Sequence, residues 1–179
     1  MTENEKISTF RVIDDFLPQK QFEEIQEIIM NDDKCIANQQ SIGWNITTTV
    51  AHIEEQENWK YFYMTHMVHD GERIDSLLVY KNIIPILKKL KVKALIRIKC
   101  NMYPNSETVH EHDEHIDFDF THNGAIFYIN TCNGYTKLID GTKIESVANR
   151  MLIFDPSIPH CSTTTNDTFA RFNINFNYF

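Results

Sequence analysis

The apolar positions fall into two textures. Over the first half of the chain they recur at helical spacing, and from residue 92 onward they form short runs broken by turn residues. Phe10 to Leu17 reads as a strand leading into Pro18, after which Phe22, Ile25, Ile28 and Ile29 share one face of a helix expected over residues 18 to about 31. Proline suits a first helical position, because the N–H it lacks would have no intrahelical partner there. A second helix is expected over Ile74 to Leu90, kinked or divided by Pro85, with Lys88, Lys89 and Lys91 facing the negative pole of its dipole. Between the two, Tyr61 to Met67 suits a strand. Cys35 to Gln56, rich in Asn, Gln, Thr and Ser, predicts irregular structure or short edge strands.

Downstream, Ala94 to Tyr103, Ala125 to Ile129, Lys137 to Ile139, Lys143 to Val147, Met151 to Phe154 and Phe169 to Phe179 are apolar or alternating runs. They are separated by Asn133-Gly134, Asp140-Gly141, Ala148-Asn149-Arg150 and Asn166-Asp167. Asn-Gly and Asp-Gly accept the positive φ angles of tight hairpins. Many short strands with close turns predict an antiparallel barrel or jelly roll with the N-terminal helices packed outside. The fold class expected is therefore mainly β (α+β), a double-stranded β-helix core over residues 92–179 preceded by a strand and helices over 1–91, in one domain.

Composition agrees with this. With 179 residues, 42% hydrophobic and 23% charged, the chain has enough apolar mass for a core without disulfides, and a disordered or coiled-coil chain is excluded. Seventeen Lys and Arg against 25 Asp and Glu give a net charge of −8, and no basic block is present, so no nucleic-acid partner is expected. The polar segment Met1 to Ser8 lacks the apolar stretch of a secretion signal, and no apolar run reaches the roughly 20 residues of a membrane span. A cytoplasmic protein without a membrane partner is expected. Cys35, Cys100, Cys132 and Cys161, scattered and never in Cys-x-x-Cys, then read as free thiols.

Four of the eight histidines, His110, His112, His115 and His122, crowd into one acidic stretch with Glu107, Glu111, Asp113, Glu114, Asp117 and Asp119. A solvated loop, a zinc site built on His110, His112 and His115, and a first ligand pair at His112-x-Glu114 are each compatible with that stretch. His115-Ile116-Asp117 offers more, because residues i and i+2 on an extended chain project from one face and can share a metal ion. Phe118 and Phe120 behind it extend an apolar strand face. An imidazole and a carboxylate so placed are two members of a 2-His-1-carboxylate triad, which leaves adjacent coordination positions open. His160 is the one histidine that follows His122 and so the candidate third ligand.

A hairpin turning at Asn166-Asp167 pairs Thr165 with Thr168, sets His160 opposite Asn173, and places Arg171 diagonally from His160 on the same face. Diagonal neighbours lie about 7–8 Å apart, within reach of a bridging ligand. A guanidinium beside a metal is a rigid fork for a carboxylate. The last strand then carries Phe172, Ile174, Phe176 and Tyr178 on one face and Arg171, Asn173, Asn175 and Asn177 on the other.

In this order, His115-x-Asp117, His160 and Arg171 resemble the iron(II)- and 2-oxoglutarate-dependent dioxygenases, and most of all their prolyl-hydroxylase-like branch. The resemblance runs from about residue 8 to the C-terminus. It takes in the opening Phe10 to Leu17 with its helix, Tyr103-Pro104 ahead of the metal motif, Phe127-Tyr128-Ile129-Asn130 followed by Asn133-Gly134-Tyr135-Thr136, and Asn149 to Phe154. Two departures stand out: Asn133 where the branch has a first turn glycine, and Asn173 where the superfamily often has serine. The resemblance implies Fe(II) held by His115, Asp117 and His160, and 2-oxoglutarate chelating it with its distal carboxylate on Arg171. Tyr103, Tyr128 and Asn173 are then further cosubstrate contacts, and dioxygen is a cosubstrate. The implied reaction hydroxylates a peptide or small-molecule substrate and releases succinate and CO2. With Asp117 in the carboxylate position, no ligand place is left vacant for the chloride of a halogenase. A cupin-like binding protein without redox chemistry and a zinc-dependent hydrolase are the rival readings of such a fold. Residues 33–75, with Trp44, Asn45, Trp59, Tyr61 and Arg73, are a candidate lid or recognition segment.

Overall fold

A computed structural model of the chain describes residues 10–30, 42–48 and 62–179. The elements in order are β1 (Arg11–Ile13), α1 (Gln19–Met30), β2 (Asn45–Thr47), β3 (Tyr63–His69), α2 (Leu77–Leu90), β4 (Leu95–Pro104), β5 (Asn123–Tyr128), β6 (Tyr135–Leu138), β7 (Lys143–Glu145), β8 (Met151–Phe154), β9 (His160–Ser162) and β10 (Ala170–Tyr178). Seven strands form an antiparallel major sheet in the order β1-β8-β5-β10-β4-β3-β2, and β7-β6-β9 form a minor one. The expected jelly-roll core is observed. The N-terminal strands contribute to the same major sheet, so the first half of the chain is more than a helical cover.

The period-two pattern of β10 sets the two layers. Phe172, Ile174, Phe176 and Tyr178 pack outward against the helices, together with Phe22, Ile25 and Ile29 of α1 and Val79, Ile83 and Ile86 of α2. Each such side chain, fully buried, contributes about 1.5–3 kcal/mol. On the inner side Ile126, Tyr128, Leu152 and Phe154 meet Leu138 and Ile144 of the minor sheet. The amide-bearing face of β10 looks into the space that remains.

Helix α1 begins one residue later than expected, and Pro18 offers its carbonyl to the Phe22 N–H at 3.1 Å. Helix α2 is continuous through Pro85 rather than divided, and it ends at Lys91, a left-handed residue with φ 57°, whose following N–H bonds Leu87 O at 3.1 Å. That Schellman-type stop uses lysine where glycine is usual, so no turn residue announces it. Lys89 does more than face the dipole: it donates to Phe16 O and lies 4.4 Å above the Phe16 ring. The chain at Leu17 is also clamped from the other side, because Asn149, in a left-handed conformation with φ 62°, accepts from Leu17 N at 2.9 Å and donates to Leu17 O at 2.8 Å.

Two expectations need correction. The hairpin between His160 and Arg171 does not exist: β9 pairs with β6 in the minor sheet, whereas β10 pairs with β4 and β5 in the major one. Residues 163–169 cross between sheets instead, held by Thr164 N to His110 O at 3.0 Å, Thr165 Oγ1 to Asn133 Oδ1 at 2.9 Å and the Asn133 N–H on the Asp167 carboxylate at 3.1 Å. Residues 116–122 are not a strand either. Phe118 lies under the Arg97 guanidinium at 4.9 Å and stacks on Phe120 at 5.4 Å.

Of the candidate lid, β2 is the edge strand of the major sheet, and Trp44 packs on Phe172 at 5.9 Å between ring centres. Arg73 is engaged by Asp70 and Asp75 in a turn, and Trp59 and Tyr61 lie outside the described residues. Cys100, Cys132 and Cys161 are free and buried, as expected, and Cys35 lies outside the described residues. No helix among the described residues is long and apolar enough to cross a membrane.

Candidate metal centre

The segment 111–115 extends the minor sheet as a fourth, bridged edge. His115 and His160 exchange backbone hydrogen bonds, N–H to O at 2.9 Å and 3.0 Å, and Glu111 bridges Thr163. A hydrogen-bonded antiparallel pair carries its two side chains on the same face. The two rings accordingly lie 4.7 Å apart. The Asp117 N–H then bonds Pro156 O at 2.9 Å, which brings its carboxylate to the same side. The ligand-type atoms of His115, Asp117 and His160 all lie within 4.8 Å of one another, and they are the one such group of three among the described residues.

Neighbouring groups fix how these atoms are presented. His160 Nδ1 faces Ile158 O at 3.1 Å, and His115 Nδ1 more loosely faces Asp113 O at 3.4 Å. A proton on each Nδ1 leaves each Nε2 lone pair as the free donor atom. Burial, reinforced by His160, pushes His115 down to about 4 against the opposing pull of Asp117. Burial likewise lowers His160. Burial would raise Asp117, but the charges of Arg97, His160 and His115 outweigh it and hold the carboxyl at about 2. Neutral imidazoles beside an ionised carboxylate are the protonation states a divalent metal requires.

Arg97 donates to Asp117 Oδ1 at 2.8 Å, and Asn175 donates to Oδ2 at 3.2 Å. The amides continue outward: Asn177 donates to Asn175 at 2.8 Å, and Asn177 Oδ1 lies 2.8 Å from His122 Nε2. Sequence reasoning missed Arg97, the link through Asn175 and the role of His122. A signal existed in Arg97-Ile-Lys99, charges at period two inside an otherwise apolar strand, which points them into the barrel.

Arg171 is fully buried, 0% exposed, and all its hydrogen-bond partners are neutral. Nη1 donates to Ser162 Oγ at 2.6 Å and Thr163 O at 3.2 Å, and Nη2 donates to Thr136 Oγ1 at 3.0 Å. Its Nε has no partner and it forms no ion pair among the described residues. The guanidinium carbon lies 5.3 Å from the Tyr103 ring centre and 5.6 Å from that of Tyr128. A Cβ on Gly134 would sit 2.7 Å from Arg171 Cδ and 2.6 Å from Thr164 O, so glycine is what lets the arginine stem pass.

Tyr128 donates to Thr136 Oγ1 at 2.8 Å, and burial raises its phenol. Tyr103 stacks on Tyr63 at 5.3 Å. Asn173 accepts from Asn101 at 2.9 Å, on the inner face of β10 between Arg171 and Asn175. The rest of the histidine cluster stands apart. His112 packs between Tyr103 at 5.7 Å and His110 at 5.1 Å, and Glu111 turns to Tyr135, Lys137 and Lys143. Neither the zinc set of His110, His112 and His115 nor His112-x-Glu114 converges.

No family model matches the sequence, and no curated protein matches it. Solved structures do match its fold. One is a prolyl hydroxylase from Trichoplax adhaerens, in complex with a peptide fragment of the hypoxia inducible factor oxygen degradation domain (TM-score 0.64, 16% identity, covering 95% of this chain and 83% of that one). A Pseudomonas putida prolyl-4-hydroxylase matches with TM-score 0.60 and 13% identity over 96% of this chain and 92% of that one. The viral collagen prolyl hydroxylase of Paramecium Bursaria Chlorella virus-1, in a 2OG complex, matches with TM-score 0.59 and 11% identity over 94% of each chain. The chain has the fold of these 2-oxoglutarate oxygenases.

Proposed function

We propose that this chain is an iron(II)- and 2-oxoglutarate-dependent dioxygenase that hydroxylates a peptide or small-molecule substrate. The observation that carries the reading is the buried, unpaired charge of Arg171, which shares the barrel interior with three metal-type ligands already in the protonation states a metal needs. A guanidinium kept away from water without a counter-ion is costly unless an anion joins it. The donor set, two imidazoles and one carboxylate, suits Fe(II) with open positions.

On this reading His115, Asp117 and His160 hold the iron, and Arg97 and Asn175 keep the Asp117 carboxylate ionised and oriented. Arg171 takes the distal carboxylate of 2-oxoglutarate, with Tyr103 and Tyr128 flanking the guanidinium and Asn173 lying between the two ends. Iron and 2-oxoglutarate bound there supply oxidative decarboxylation to succinate and CO2, coupled to hydroxylation of the substrate by dioxygen. The apolar wall of Ile126, Leu152 and Phe154 keeps bulk water from the inner end. The peptide held by the Trichoplax neighbour and the 2OG held by the viral one favour the same assignment.

The test is an anaerobic titration of Fe(II)-loaded protein with 2-oxoglutarate, followed by its visible charge-transfer band. A saturable band with one equivalent supports the reading. A folded, metal-loaded protein that gives neither band nor binding heat contradicts it.

A further inference from the structure

Strand β4 carries a second inward-facing cation to which the reading above gives no task. Arg97, Lys99, Asn101 and Tyr103 face the barrel opposite Asn177, Asn175, Asn173 and Arg171 of β10. Arg97 is committed to Asp117, and Arg171 reaches Ser162 and Thr136 at the far end. Lys99 is the direct cross-strand neighbour of Asn175, the amide that touches Asp117, so the two Cβ atoms are about 5 Å apart. Among the described residues its ammonium makes one hydrogen bond, to Tyr63 Oη at 3.3 Å, and it lies 5.4 Å from that ring centre. It forms no ion pair among the described residues. Burial and then the Arg97 charge bring it down to about 8 against the attraction of Asp117.

Charge balance says what is missing. A divalent metal with Arg97, Lys99 and Arg171 faces one carboxylate, Asp117. A bound dicarboxylate keto acid neutralises part of that excess and still leaves two positive charges. In surroundings that already disfavour a bare ammonium, this residue of charge selects an anion. Asn101 Oδ1, buried on the same face and without a partner among the described residues, adds an acceptor for an N–H or O–H. Lys99 is also one strand removed from the Arg171 side of β10, toward β3 and outside the apolar layer that the minor sheet covers.

We propose that Lys99 is an anion subsite beside the metal centre, taking a carboxylate or phosphate group of the substrate. This rests on the oxygenase reading for the substrate and for the metal and keto acid in the charge balance; the excess of Arg97, Lys99 and Arg171 over the single carboxylate of Asp117 holds without it.

The test uses Zn(II)-loaded protein with labelled lysine and tyrosine. Acetate and inorganic phosphate are titrated in turn at constant ionic strength, with methylammonium as control. The expected result is a saturable shift of the Lys99 Nζ and Tyr63 Cζ signals with at least one anion and none with methylammonium. The tighter of the two anions tells a carboxylate-bearing substrate from a phosphate-bearing one. In Lys99→Met the Tyr63 response disappears, and in Lys99→Arg it persists. Iron-loaded Lys99→Met keeps its 2-oxoglutarate affinity within about threefold of wild type. Lys99 signals that ignore both anions overturn the proposal, as does a Tyr63 response that survives Lys99→Met. A loss of keto-acid affinity of about tenfold or more in Lys99→Met also overturns it, by assigning Lys99 to the cosubstrate. Wild-type protein that binds no 2-oxoglutarate sinks the oxygenase reading, and the anion titration still decides the subsite.

Discussion

Replacing Arg171 by Met separates what the arginine does for the fold from what it does for the ligand. Methionine keeps the unbranched stem that passes Gly134, so packing is nearly preserved and the buried charge goes. Ser162 Oγ and Thr163 O lose their guanidinium donor, whereas Thr136 Oγ1 keeps the Tyr128 hydroxyl at 2.8 Å. Unpaired acceptors cost about 1–3 kcal/mol each, and removing a desolvated cation offsets much of that, so the metal-free variant should unfold within about 2 kcal/mol of wild type. Ligand binding should change far more. Losing one partner of a buried, forked charge pair costs about 2–5 kcal/mol, or roughly 30- to several-thousand-fold in affinity. The assay is the anaerobic charge-transfer titration, paired with thermal unfolding. At about a hundred times the wild-type Kd, 2-oxoglutarate should stabilise metal-loaded wild type by about 2.7 kcal/mol and Arg171→Met by less than about 1 kcal/mol. Iron affinity should be equal in both. Keto-acid affinities within about threefold of each other would refute the role given to Arg171.

In the metal-free chain, His115 is pushed from 6.5 down to about 4, so the stability carried by its neutral ring is complete above pH 6.5 and is lost as pH falls toward 4. Urea unfolding of wild type and His115→Gln across that window should show the steeper loss in wild type, and identical slopes would refute the burial argument. Gly134→Ala should destabilise by about 1–3 kcal/mol and weaken 2-oxoglutarate by roughly tenfold while retaining iron, because its methyl displaces Arg171. Unchanged keto-acid binding would show the stem to be free to move. Asn149→Ala should cost about 2–4 kcal/mol in chemical denaturation, from two lost hydrogen bonds to Leu17 and a strained left-handed residue, with metal affinity intact. A cost below about 0.5 kcal/mol would contradict the clamp.

The alternation of β10 was legible because one face must meet helices and the other the barrel interior. The triad was legible because His-x-Asp on extended backbone has a local geometry, and His160 was the sole histidine left downstream. Arg171 does lie buried in the barrel interior, but the hairpin expected to bring it there is absent. A hairpin needs chain neighbours to pair, whereas Thr163, Thr164 and Thr165 carry the chain from one sheet to the other, buried, with their hydroxyls on Tyr135, His110 and Asn133. No local pattern encodes partners that distant. Asn133 and Asn173, the two departures, likewise turn to Thr165 and Asn101, contacts that exist only once the sheets are assembled. The period-two charges of Arg97 and Lys99 mark an inward face, but the meeting of Arg97 and Asn175 with Asp117 exists only in the assembled barrel.

The central claim, that His115, Asp117 and His160 converge on one ion, is tested most directly by calorimetric titration of oxygen-free protein with Fe(II). One site per chain is predicted, lost in each of His115→Ala, Asp117→Ala and His160→Ala and kept in His110→Ala and His112→Ala. Retention of the site in any of the three triad variants, or its loss in either of the other two, would contradict the account.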